Sequence, residues 1–190
     1  MNKIKIESKY SPFPKPIALI GCLIDGKPNF MNIAWFNRMS MEPNQWMISM
    51  NKNHHTFQGI KENKTFSMNF PNNELVEKTD FCGLVSGRDF DKSQLFTIFY
   101  GDLKTAPLIS DCPISVELEV IELIEKQNQM IIIGLVKNIY SEEKYLTNGE
   151  LDPKKIQLLI FVKASPDGFY FNLGENIGQA WKIGKDYKVD

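Results

Sequence analysis

The chain has little cysteine, little histidine and no long apolar run. Its three cysteines, Cys22, Cys82 and Cys112, are odd in number and stand at no short metal-ligand spacing. They are expected as buried or half-buried cytosolic thiols, not as a disulfide framework. The two histidines, His54 and His55, are neighbours, and neighbours on a strand or helix point in different directions. With no Cys or carboxylate at a supporting spacing, no metal site is expected. The longest apolar stretches, 17–24 and 130–136, are too short to span a bilayer. The opening MNKIKIESKY lacks the apolar segment of a secretory signal, so a cytoplasmic location away from membranes is expected. Neither charge is in excess: 22 Lys and Arg face 23 Asp and Glu, for a formal net charge of −1. No dense Lys/Arg run occurs, so nucleic acid is not an expected partner. The phosphate loops GxGxxG and GxxxxGK[ST] are missing, as is the nucleophile elbow GxSxG.

What is present reads as a mainly β chain with helical insertions. Its 190 residues are 43% hydrophobic, which suits one domain over 1–190. Pro12, Pro14 and Pro16 set an extended arm. IALIGCLI then fits a strand buried on both faces, and Asp25-Gly26 signals a hairpin. Residues 29–40 read as a strand passing into a loop, and 41–44 as a turn. Gln45–Asn51 and Thr65–Phe70 alternate apolar and polar residues as half-buried strands do. Between them, 56–63 has the length of a short helix, with Thr56 as its expected N-cap. A second short helix is expected over 74–82, strands over 113–121 and 130–136, and EKQNQ as their hairpin loop. Residues 141–145 and the tail 174–185 are expected to be helical, and 156–162 and 168–173 to be strands. Without regular β-α alternation, a closed or nearly closed antiparallel barrel fits best.

The stretch SMNKNHHT (49–56) carries the chemistry most worth weighing. A strand ends, a polar loop follows, and a helix begins whose first N–H groups lack partners. Free N–H groups and the helix dipole both favour an anion there. Thr56 adds a hydroxyl and Lys52 a charge, while an ordinary capped helix with a solvated lysine accounts for the same residues equally well. A histidine general base is less favoured than an exposed His and a loop-supporting one. Trp35-Phe36, among Asn29, Asn32 and Asn37, suits a ligand wall or a core pair.

The order PKPIALI, NFMNIAWF, SMNKNHHT and FSMNF, continued by DFCGLVSGRDFDKSQLF, TAPLISDCPISVELE, IIIGLV and LGENIGQAWKIGK, resembles the flavin reductase-like family. The flavoredoxin-like branch is the nearest match, and the similarity runs over nearly the whole chain. It implies an FMN-binding split β-barrel in which the flavin ring carries the chemistry and no side chain is obligatory for catalysis. Phosphate contacts then fall to Thr56, Ser49, Asn51, Lys52 and Lys92, with His55 as a neighbour. Asn29 falls near the ribityl or phosphate portion, and Asn32, Ile33, Ala34 and Trp35 border the ring. A homodimer is implied, with NAD(P)H or a redox protein as electron donor. One departure stands out: many relatives carry a histidine where this chain has Gln129, Met130 and Ile131.

Overall fold

The computed structural model describes residues 2–5, 13–163, 167–185 and 187–188. Two residues of the proline arm, 11 and 12, lie outside them. The arm ends in β1 (Lys15–Pro16), followed by β2 (Ala18–Ile24) and β3 (Lys27–Ile33). The β2–β3 hairpin turns at Asp25 (φ 49°) and Gly26 (φ 74°), the left-handed pair that matches strand twist. Next come β4 (Phe36–Ser40), β5 (Gln45–Asn51), α1 (His55–Asn63), β6 (Thr65–Phe70) and α2 (Val76–Leu84). Two short pieces, β7 (Ile98–Phe99) and β8 (Leu108–Ile109), precede the long hairpin of β9 (Ile114–Lys126) and β10 (Gln129–Tyr140). A small hairpin of β11 (Leu146–Thr147) and β12 (Glu150–Leu151) leads through α3 (Pro153–Ile156) to β13 (Ile160–Lys163) and β14 (Gly168–Phe171).

Seven antiparallel strands form the main sheet in the order β3-β2-β6-β9-β10-β5-β4. Its two edge strands, β3 and β4, are consecutive in the chain, so the curled sheet remains split between them. A side sheet, β1-β13-β14, lies apart. The barrel interior is packed by Ile20, Ile48, Phe66, Met68, Leu118 and Ile132, all essentially inaccessible to water. Leu19, one residue from Ile20, instead joins Phe30, Leu75, Cys82 and Phe96 in a second cluster on the opposite face. That double burial explains why IALIGCLI is a continuous apolar run.

Several expectations need correction. The strands expected over 113–121 and 130–136 are longer, because Leu123 pairs with Ile132 and Ile124 with Ile131. EKQNQ therefore shrinks to a turn at Gln127 (φ 53°) and Asn128. Residues 29–40 hold two strands with Ala34-Trp35 between them. The polar face expected on β6 is buried as well: Asn69 donates to the Leu19 carbonyl at 3.1 Å and accepts from the Ile109 N–H at 2.9 Å. The stretch read as a strand over 156–162 begins as the end of α3. Residues 174–185 form turns and extended chain instead of a helix, leaving Ile177 and Trp181 almost fully exposed. Without an apolar face to bury, a glycine-flanked segment this short cannot hold a helix.

Candidate functional site

The connection from β5 to α1 is a tight turn locked by its own residues. Asn51 Oδ1 accepts from the Asn53 N–H at 2.9 Å, and the His54 N–H donates to the Asn51 carbonyl at 3.0 Å. His54, not Thr56, is therefore the N-cap, and its side chain makes no capping bond. Thr56 lies in the first helical turn, 3% exposed, and its hydroxyl accepts from Asn29 Nδ2 at 2.9 Å. Accepting that bond leaves the hydroxyl proton to donate elsewhere. Lys52 turns toward β9 and pairs with Glu125 at 2.5 Å.

Two cavities flank this helix start. One, of about 330 Å³, is lined by Lys27, Asn29, His55, Gly87, Arg88 and Lys92, and also by three carboxylates, Asp25, Asp89 and Asp91. The other, of about 340 Å³, is lined by Asn32, Ile33, Ala34, Trp35, Ser49, Asn51, His54 and Gln129. Their walls share β3, Asn29 facing one and Asn32 the other, and His54 and His55 stand on either side of the division. All the residues expected from the resemblance line one cavity or the other, except Lys52 and Thr56. Lys52 is held by Glu125, and Thr56 stands behind Asn29.

Lys92 is the buried cation of the first cavity. It opens a short 3-10 turn whose N-cap, Asp91, accepts from the Ser93 N–H and hydroxyl, so that carboxylate is engaged locally. Lys92 is only 4% exposed, and its ammonium donates to the Cys82 carbonyl at 2.8 Å. Among the described residues, no carboxylate lies within 4 Å of it. Burial lowers its pKa. Partial withdrawal from water also lowers the pKa of His54, helped by the positive charges of Arg88 and Lys92. A buried ammonium that none of the cavity's described carboxylates approaches within 4 Å suits a phosphate. Gly87 lets this wall close: a Cβ there would fall 1.9 Å from Asn29 Oδ1.

The second cavity is braced from behind. Asn32 Nδ2 donates to the Thr79 carbonyl at 3.2 Å and to the Tyr170 hydroxyl at 3.4 Å. Tyr170 in turn donates to Asp80 Oδ1 at 2.9 Å. Burial, then the Asp80 hydrogen bond and charge, push the Tyr170 hydroxyl up to about 12. This link ties β14 to α2 and to the cavity wall. The Ser49 N–H donates to the Trp35 carbonyl at 2.8 Å, fixing the Ala34-Trp35 crossing. His54 is the single titratable side chain among the described residues lining this cavity.

Sequence reasoning missed Gly87, Arg88 and the Asp80–Tyr170 brace. The only local sign of the first two was a small-residue step before a basic residue, with Arg88 four positions ahead of Lys92. The brace joins residues 90 positions apart and leaves no local pattern. Cys82 is buried, which pushes its thiol up to about 11 and fits the inert reading. Among the described residues, no group of three or more His, Cys, Asp or Glu could hold a metal. Nor is any helix there long and apolar enough to cross a membrane.

A flavin reductase like domain model matches residues 10–160. The flavoredoxin of Methanosarcina acetivorans superposes with a TM-score of 0.92 at 42% identity, covering 97% of this chain and 98% of that one. The flavoredoxin of Desulfovibrio vulgaris (Miyazaki F) does so at 0.87 and 28% identity, covering 97% and 100%. An FMN-binding protein from Thermus thermophilus, solved with 1-cyclohex-2-enone, shares the fold at 0.79 and 22% identity, over 94% and 97% of the two chains. An uncharacterized protein of Aeropyrum pernix is 26% identical over 123 residues, which are 63% of this chain and 47% of that one. This chain thus spans about half the length of that curated relative. Fold, strand order and sequence agree on one assignment: the chain belongs to the flavin reductase-like family, with an open, split β-barrel.

Proposed function

We propose that this chain binds FMN across the two adjoining cavities and passes electrons through it. The single observation that carries the reading is Lys92, a buried ammonium without a carboxylate partner, at the end of a site whose other half is walled by Trp35. Lys92, Arg88 and Asn29 hold the phosphate, with the Thr56 hydroxyl behind them and the uncapped first turn of α1 adding its dipole. Ser49 and Asn51, expected at the phosphate, line the ring cavity instead. The backbone of 33–35 borders the ring, and Asn32 is kept in place by Tyr170. When bound, the isoalloxazine ring supplies the electron transfer, and the protein's part is position, dipoles and exclusion of water.

Two versions of this function differ in the donor. As an enzyme, the protein takes hydride from NAD(P)H; as a carrier, it exchanges electrons with protein partners. Gln129 favours the carrier, since it stands where many relatives carry a histidine and leaves His54 as the single titratable side chain lining the ring cavity among the described residues. The flavoredoxin relatives at 42% and 28% identity point the same way. A homodimer belongs to the same reading, with Tyr100 and Trp181 exposed and available to an interface.

The visible absorption spectrum of the protein mixed with FMN and desalted tests the binding. Loss of all yellow colour on the column rejects it. Anaerobic addition of NADH or NADPH then separates the versions. The carrier is expected to stay yellow with either nucleotide and to bleach with dithionite, whereas bleaching by a nucleotide within seconds selects the reductase.

A further inference from the structure

A third cavity, of about 630 Å³, adjoins the Ala34-Trp35 crossing and lies outside the two cavities assigned to FMN. Ala34, Trp35 and Ser49 line both this cavity and the ring cavity, so the two share a wall. Its surface is unusual in composition. Phe13, Trp35, Phe36, Trp46 and Phe70 supply flat apolar faces, Lys15 and Arg38 supply positive charge, and none of the described lining residues is acidic. The aromatic walls are set. Trp46 Nε1 donates to Asn44 Oδ1 at 2.9 Å, and the Phe36 and Trp46 rings each meet Phe70 edge-on at 5.7 Å.

Among the described residues, the two cations have no anion to answer them. Arg38 Nε reaches only the Ser40 carbonyl, at 3.3 Å, and the Lys15 ammonium lies 4.8 Å over the Phe13 ring. Among the described residues, no carboxylate lies within 4 Å of either. A guanidinium with free donors beside aromatic faces matches a planar group ending in a carboxylate, which it can grip through two parallel hydrogen bonds. A cavity of this size takes a two-ring compound with room to spare.

We propose that this cavity binds an aryl carboxylate, a flat aromatic body with one anionic end, against Trp35 and within reach of Arg38 and Lys15. The inference deepens the proposed function: it names the class of small molecule held across a shared wall from the FMN ring. The binding itself needs no flavin.

Calorimetric titration of the protein, with and without saturating FMN, tests it with three probes of one shape: 2-naphthoate, neutral 2-naphthamide and cationic 2-naphthylmethylamine. Naphthoate is expected to bind at one site, at least about tenfold more tightly than either analogue, the factor a charge-assisted hydrogen bond commonly confers. Arg38→Met is expected to erase that preference, and Lys15→Met to reduce it, while FMN affinity read from visible absorbance stays unchanged. Equal binding of all three probes, or full retention of the preference in Arg38→Met, overturns the inference. Displacement of naphthoate by FMN overturns it too, because the cavity is then the flavin's own. A protein that takes up no FMN yet selects naphthoate rejects the flavin reading and leaves this one standing.

Discussion

Lys92 shows how a single side chain can work against the fold and for the ligand. An ammonium that is 4% exposed with one carbonyl partner is expensive to bury. Replacing it by Met keeps the stem and removes the charge. In flavin-free protein, Lys92→Met is expected to raise stability by about 1 kcal/mol in urea denaturation. The same substitution is expected to weaken FMN binding roughly ten- to hundredfold, the range set by losing a hydrogen bond to a charged group. Thr56→Ala is expected to weaken binding as well, since it also strips Asn29 of its acceptor. Fluorescence titration with FMN reads both, and unchanged affinity in the two variants would remove the phosphate assignment. The family resemblance points to Asn29, His55 and Lys92, and the three line one cavity. Lys52 was singled out on the same grounds and does not, because Glu125 on a neighbouring strand claims it. Arg88 was passed over because an exposed basic residue in a loop looks like any other.

At the scale of elements, alternation located the strands but understated their length. A hairpin can continue past the point where one face turns polar, provided its partner supplies matching residues, as Leu123 and Ile124 do opposite Ile132 and Ile131. The β9–β10 register shifts between Ile133 and Gly134, and the Phe66 ring of β6 fills the space over that glycine. The irregularity helps the sheet to curl, and Phe66 is the plug that accommodates it. Phe66→Ala is expected to cost roughly 3–5 kcal/mol through the cavity left in a fully buried site. Its urea midpoint should fall without a change in the steepness of the transition. A loss under 1 kcal/mol would mean that the barrel repacks freely there. The helix start shows the same limit of local reading. Thr56 has the side chain of an N-cap, but an Asx turn at Asn51 shortens the loop and places His54 in that position.

For the molecule as a whole, the helix start between the two cavities couples to pH through His54. The folded-state pKa of His54 lies below its usual 6.5. As pH falls, the unfolded chain therefore takes up this proton before the folded one does. The stability associated with neutral His54 is present in full above about pH 6.5 and is lost as pH drops through the folded value. Urea midpoints of flavin-free protein between about pH 5 and 8 are expected to decline toward the acid side, and His54→Gln to flatten that decline. A bound dianion acts in the opposite sense, raising the His54 pKa, so adding FMN should move its titration upward in proton NMR. Identical slopes in wild type and His54→Gln would detach the histidine from the effect.

Hydrophobic periodicity and the proline and glycine positions determined a mainly β barrel with short helices. They did so because each acts over a few residues, where backbone sterics and the two faces of a strand settle the outcome. Whether two distant polar groups meet is decided by strand order and sheet curl. Only the tertiary structure paired Lys52 with Glu125, left Lys92 without a carboxylate and linked Tyr170 to Asn32. It also set a cationic aromatic cavity against Trp35. Electrostatic partners are chosen by distance in space, and no pattern along the chain encodes that distance.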